Sequence, residues 1–217
     1  MIERVRFAML YLALVTGSIV QTHAASLSDL AWARVNDADR WTEVVASAVT
    51  ATTLPTIVPA DISVFCPSYE QDSTTDRTHF WLGLIAAIAD AETAGRFNPR
   101  DSYTESFHEH GPESPFVVSR GLLQLSFPGD RDAYQCEIAD AEALYDPSVN
   151  LRCGVKILAK LVTRDQRIAG KVGSAWKGGA VYWSTLRSSG GKNGDNARNL
   201  AKVLRDTQAL SVCRAHN

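Results

Sequence analysis

Acid–base chemistry in this chain falls first to Glu92, because of where it sits. From Phe80 to Pro99 the sequence reads FWLGLIAAIADAETAGRFNP. Phe80, Leu84, Ile85 and Ile88 recur at helical spacing and Trp81 and Leu82 widen the stripe, which predicts a buried helix with little polar face. Gly95 supplies a left-handed stop and Asn98-Pro99 bars resumption, so the carboxylate lies where a core helix meets a loop. Partial desolvation raises a carboxyl pKa, which suits a general acid working near neutral pH. The plainer alternative is an exposed glutamate in a last helical turn, held there against the helix dipole.

Other polar residues cluster downstream. Arg100 to Ser119 is a long stretch without sustained period that carries Glu105, Glu109 and Glu113 with His108 and His110. Long irregular loops in compact domains tend to be functional. The His-Glu-His run lacks the spacing that puts two histidines on one helical face, so a solvated loop is expected rather than a metal site. No CxxC or CxxH spacing supports zinc either. Ser119 to Ser126 (SRGLLQLS) is a compact apolar run with polar ends, and Phe127-Pro128-Gly129-Asp130 turns the chain.

The elements that must hold these residues are helical. Leu30, Trp32 and Val35 open one short pattern and Trp41, Val44, Val45 and Val49 a second, within 26–53. Three prolines between Leu54 and Pro67 mark a connection. Asp132 to Tyr145 is helical in pattern, and Leu151, Val155, Leu158 and Val162 predict another core helix after Asp146-Pro147. Arg164 to Gly178 reads as a loop with some local helix, Ala180 to Arg187 as helical, and Asn196 to Leu210 as a last helix. No alternation of period two is sustained. The expected fold is mainly α, with room for a short β-hairpin only in the 100–119 loop.

Hydrophobic residues make up 45% of the 217, which excludes disorder, and 22 Lys+Arg against 24 Asp+Glu provide no basic field to hold nucleic acid. Residues 1–24 read as a secretory signal: Arg4 and Arg6, an apolar core from Phe7 to Val20, then Thr22-His23-Ala24 as cleavage site. That core is short of the roughly 20 residues of a membrane span, so no stable insertion is expected after cleavage. An exported chain with four cysteines predicts two disulfides. Three pairings are open; proximity in sequence favours Cys136–Cys153, which leaves Cys66–Cys213.

Taken together, Glu92-Thr93 with Phe97-Asn98-Pro99, then Ser119 to Gln124, then Asn150-Leu151 with Gly154 and Leu158, then Ala180 and Tyr182, have the order and approximate spacing of a known family. They resemble the lysozyme-like catalytic domain of soluble-type lytic transglycosylases, which cleave the β-1,4 bond between N-acetylmuramic acid and N-acetylglucosamine in peptidoglycan. The resemblance covers about 80–187. It implies a single lysozyme-like domain over 25–217, with the helices in 26–53 and 196–210 packed on that core.

The resemblance implies further that Glu92 is the one catalytic acid/base, that Ser119 and Gln124 line the sugar groove, and that Tyr182 belongs to the third motif. Trp183 stands where the family has Asn, and is expected to stack on a sugar ring. The implied partner is the glycan strand, the implied cofactor none, and the compartment the periplasm or the cell exterior. A muramidase using Glu105 or Glu109 as second acid, and a non-catalytic peptidoglycan-binding module, stay open as alternatives.

Overall fold

The computed structural model describes residues 27–105 and 117–214. The segment expected to be a signal, residues 1–24, and His108, Glu109, His110 and Glu113 lie outside the described residues. Among the described residues six α-helices carry the core: α1 Ala38–Thr50, α2 Ile62–Phe65, α3 Thr74–Glu92, α4 Gly129–Tyr134, α5 Pro147–Asp165 and α6 Asp195–Gln208. Two small antiparallel sheets complete it, one of β1 Ser102–Glu105, β2 Val117–Arg120 and β3 Leu125–Ser126, the other of β4 Ala169–Val172 and β5 Ala175–Gly178. Among the described residues no helix is long and apolar enough to cross a membrane.

The central helix is α3. The Ser73 hydroxyl caps it by accepting from the Asp76 amide at 3.2 Å. Every residue from His79 to Asp90 is buried, because α1 and α6 pack against it from different sides. An apolar stripe too wide for one face thus finds partners all round. Gly83 is the close-approach point: a Cβ there would stand 2.5 Å from Leu210 Cδ1.

The cysteines pair as sequence proximity suggested, Cys66 with Cys213 and Cys136 with Cys153. The first ties the segment before α3 to the short turn after α6, and the second ties the loop after α4 to α5.

Of the segments read as helical, Asp132 to Tyr145 is α-helical only to Tyr134 before the 3-10 turn Glu142–Tyr145, and Ala180 to Arg187 runs through two 3-10 turns, Gly179–Val181 and Ser184–Leu186. Two further expectations need correction. Residues around Leu30 and Trp32 form a short 3-10 turn, Leu27–Asp29, and further turns rather than a helix. Their apolar pattern reflects burial alone: Trp32 is fully enclosed, donates its indole N–H to Thr42 Oγ1 at 3.0 Å and meets Trp41 edge-on. The second correction is the β4–β5 hairpin, in a region read as loop. Its strands are four residues each, too short to show a period, but a Gly173-Ser174 turn between them is a hairpin signal. Asp61 fixes it by accepting from the Ile168 and Ala169 amides at 2.8 and 3.0 Å.

The first sheet sits in the 100–126 region and goes beyond the expected hairpin by a third strand. Tyr103 pairs with Ser119, and residue 105 with Val117. Directly paired positions of an antiparallel ladder share a face, so Tyr103 and Ser119, with Val117 two positions before Ser119, lie on one side of the sheet.

Candidate active site

Glu92 is the last residue of α3, and three local devices fix the helix end there. Thr93, fully buried, donates its hydroxyl to the Ala89 carbonyl at 2.7 Å and accepts from the Phe97 amide at 3.1 Å. Gly95 turns the chain at φ +77°, in the left-handed region that a glycine enters without strain. Two residues earlier, Asp90 pairs with Lys202 of α6, which also holds Asp206 at 2.7 Å. The carboxylate that results is half-buried, and its Oε1 accepts a hydrogen bond of 2.7 Å from Thr185 Oγ1. Thr185 is 5% exposed and belongs to the 3-10 turn Ser184–Leu186, which packs on α6 and α3.

Glu92 opens into a cleft of about 740 Å³. One wall is the face of the first sheet that carries Tyr103, Val117 and Ser119; the other is the segment from Val181 to Arg187. Gln124 and Ser126 also line it.

The motif glycines and Asn150 explain how the Ser119 to Gln124 segment reaches the cleft. Asn150, fully buried on α5, accepts from the Leu123 amide at 2.9 Å and donates to the carbonyls of Arg120 and Leu144 at 2.9 and 3.0 Å. Gly121, at φ +76°, passes so close that a Cβ would stand 2.4 Å from both Asn150 Nδ2 and the Leu144 oxygen. Gly154 admits the Leu123 side chain. These residues seat a turn on α5, and the turn delivers Ser119 and Gln124 to the cleft wall.

Of the residues singled out in the sequence, Glu92, Ser119, Gln124 and Tyr182 meet at this cleft. Gln124 has a structural duty as well, its Nε2 donating to the carbonyls of Gly121 and Asp101 at 2.8 and 3.2 Å. Tyr182 donates its hydroxyl to Asp130 Oδ2. The stacking role expected of Trp183 is corrected: the residue borders the cleft but is only 2% exposed, and its indole N–H is spent on the Leu123 carbonyl at 3.0 Å. Its ring is core and offers no face to a sugar. The exposed aromatic at the cleft is Tyr103, 67% accessible on β1. Residue 105 ends β1, and Glu109 lies outside the described residues.

Several residues in the cleft or packed behind its wall carried no signal in the sequence. Thr185 is one, a lone hydroxyl in an aromatic segment. Arg96 and Asp101 are another two, ion-paired at 2.8 Å on the cleft margin. Arg187 lines the cleft two positions after Thr185. Asp130, 2% exposed behind the wall, accepts from the Ser126 amide at 2.6 Å as well as from Tyr182. Burial pushes the Asp130 carboxyl above its ordinary range, against the bonds from Tyr182 and Ser126. Burial and the adjoining Asp130 carboxylate push the Tyr182 phenol well above its own, so Tyr182 is a fixed donor rather than a titrating group.

No protein-family model matches the chain, and no curated protein matches it either. Solved structures do. A Glu→Gln variant of DslA (Bd0314), a Bdellovibrio protein, superposes with a TM-score of 0.74 at 38% identity, covering 85% of this chain and 97% of that one. The wild-type protein in a second form gives 0.72 at 39%, over 83% and 94%. A second variant, with a different Glu replaced by Gln, gives 0.72 at 38% over the same shares. At this identity over nearly the whole of its relative, the chain belongs to the DslA family.

Proposed function

We propose that this protein is a lysozyme-like enzyme of the cell envelope that cleaves the β-1,4 bond between N-acetylmuramic acid and N-acetylglucosamine in peptidoglycan, with Glu92 as its acid/base. The observation that carries the reading is the Glu92 carboxylate, half-buried in an open cleft and oriented by a buried hydroxyl at 2.7 Å. A structural glutamate at a helix end needs neither the cleft nor the orienting donor. In the transglycosylase form of the reaction, protonated Glu92 gives its proton to the glycosidic oxygen as the C1–O bond breaks. The carboxylate then takes the proton of the muramyl 6-hydroxyl as that oxygen bonds C1 and closes a 1,6-anhydro ring. The chemistry balances with one carboxyl and needs no metal or organic cofactor. The partner is the glycan strand, and two disulfides suit an oxidising compartment such as the periplasm or the exterior.

One observation favours a second reading, hydrolysis. Hydrolysis needs a second acid to serve an attacking water, and Glu105, which ends β1, is the candidate that the sequence offers. That DslA has been solved with two different glutamates replaced by glutamine fits a family with two acids of interest. Digestion of purified sacculi, with the soluble products resolved by mass, separates the readings. Anhydromuropeptides from the wild type and none from Glu92→Gln support the transglycosylase. Reducing-end products that vanish in Glu105→Gln support the hydrolase. No release by the wild type would sink both and leave a binding module.

A further inference from the structure

Arg187 is the cation of the cleft that lacks a counter-charge. Its side chain is half-buried, and Nε and Nη2 donate to the carbonyls of Ala180 and Val181 at 2.9 and 3.1 Å. The guanidinium carbon also lies 5.7 Å from the centre of the Trp176 ring. These contacts fix the group's position without neutralising it. The contrast is Arg96 on the same cleft, whose charge is met by Asp101 at 2.8 Å. Among the described residues no carboxylate lies within ion-pair distance of Arg187. Two carbonyls use two of its five N–H donors, and three remain.

A half-buried charge without a partner is costly, and a rigid planar fork held against a cleft matches a carboxylate in two-point geometry. Neutral hydroxyl and acetamido groups of a sugar need no such charge. We infer that Arg187 forms an anionic subsite that binds a carboxylate borne by the muramyl residue beside the scissile bond, and so makes the enzyme select muramyl over plain N-acetylglucosamine units. The inference rests on the proposed peptidoglycan substrate. The carboxylate has two sources: the lactyl group of a muramyl unit without peptide, or the acidic residues of an attached stem peptide.

The test measures binding, using Glu92→Gln to prevent turnover, while wild-type digestion reports separately on the proposed function. The probes are an N-acetylglucosamine oligomer, a peptide-stripped glycan of equal length, the peptide-bearing glycan, and both glycans with their carboxyl groups converted to amides. One or both anionic glycans should bind about 10-fold tighter than the oligomer, as a charge-assisted bidentate contact provides. Amidation, or Arg187→Gln added to Glu92→Gln, should remove that advantage and leave the oligomer's affinity unchanged. An advantage confined to the stripped glycan identifies the lactyl carboxylate; one confined to the peptide-bearing strand identifies the peptide. Equal binding of amidated and native glycans would overturn the subsite whether or not the Arg187 variant folds. So would equal weakening of every ligand by Arg187→Gln, which marks a purely structural arginine. Loss of cleavage with the carboxylate preference intact would count against the enzyme reading alone.

Discussion

The Thr185 hydroxyl and the Glu92 carboxylate, 93 positions apart in the chain, meet at 2.7 Å across the joint between the end of α3 and the turn Ser184–Leu186. One partner can do proton transfer and the other can only orient it. Glu92→Gln should therefore lower glycan cleavage by about 100-fold or more, the usual worth of a positioned general acid. Thr185→Val should lower kcat by roughly 10-fold with little change in KM, since substrate does not bind through this bond. Thr185→Ser, which keeps the donor, should recover most of the loss. Recovery by valine equal to that by serine would show that the hydroxyl has no part in it.

The pairing of Asp130 with Tyr182 makes a different demand. Burial holds the Asp130 carboxyl above its ordinary value, so its ionised form costs stability above the folded pKa, a cost relieved as pH falls through it. The Tyr182 hydroxyl offsets part of that cost. Tyr182→Phe should lower stability by about 1–3 kcal/mol near neutral pH, the penalty of an under-satisfied buried acceptor. The deficit should shrink toward acid. Urea unfolding of both proteins between pH 4 and pH 8 measures this, and a deficit independent of pH would mean that ring packing, not the bond, is lost.

Asp29 runs in the opposite direction. Burial opposes its ionisation, but hydrogen bonds from His79 Nε2 at 2.9 Å and from the amide and hydroxyl of Ser211 at 2.8 and 2.7 Å outweigh it and hold the carboxyl below its usual value. A carboxyl depressed by folding contributes stability that is present above its unfolded pKa and lost as pH falls through the folded one. Asp29→Asn should cost about 1–2 kcal/mol at pH 7. The wild type should lose this advantage only below about pH 4. Thermal unfolding across that range gives the answer.

The two disulfides should differ in worth. Cys66–Cys213 closes a separation of 147 residues and Cys136–Cys153 one of 17. On the chain-entropy account the longer loop contributes about 5 kcal/mol and the shorter about 3. Paired Cys→Ser variants, unfolded in urea, should rank in that order; the reverse ranking would place the main effect of these bonds in the folded state.

Legibility followed the kind of signal involved. The helices α3, α5 and α6 announce themselves because an apolar face repeats over four or five turns, and Gly95 and Asp146-Pro147 mark their ends. Glu92 was readable because an acid closing an apolar run is conspicuous. Thr185 and Arg187 were not, because what brings one to Glu92 and the other to the cleft is the path of a 3-10 turn across the end of α3, and no local pattern encodes it. Trp183 misled for a related reason. Its neighbour Tyr182 does line the cleft, but in irregular backbone adjacent side chains follow no fixed alternation, and the indole turns into the core toward Leu123. The β4–β5 hairpin lay below the length at which strand alternation can be counted.

The burial of α3 has a consequence for the order in which the protein can be made. Leu210 packs on Gly83, Lys202 grips Asp90, and Cys213 locks to Cys66. A chain growing from its N-terminus therefore holds one flank of α3 uncovered until residues 195–213 have been added. A nascent chain halted before 195 exposes the apolar side chains that α6 covers and leaves the turn that carries Thr185 braced by α3 alone of the two helices it packs on. The setting of Glu92 is completed by a helix that begins only at Asp195, far downstream of it.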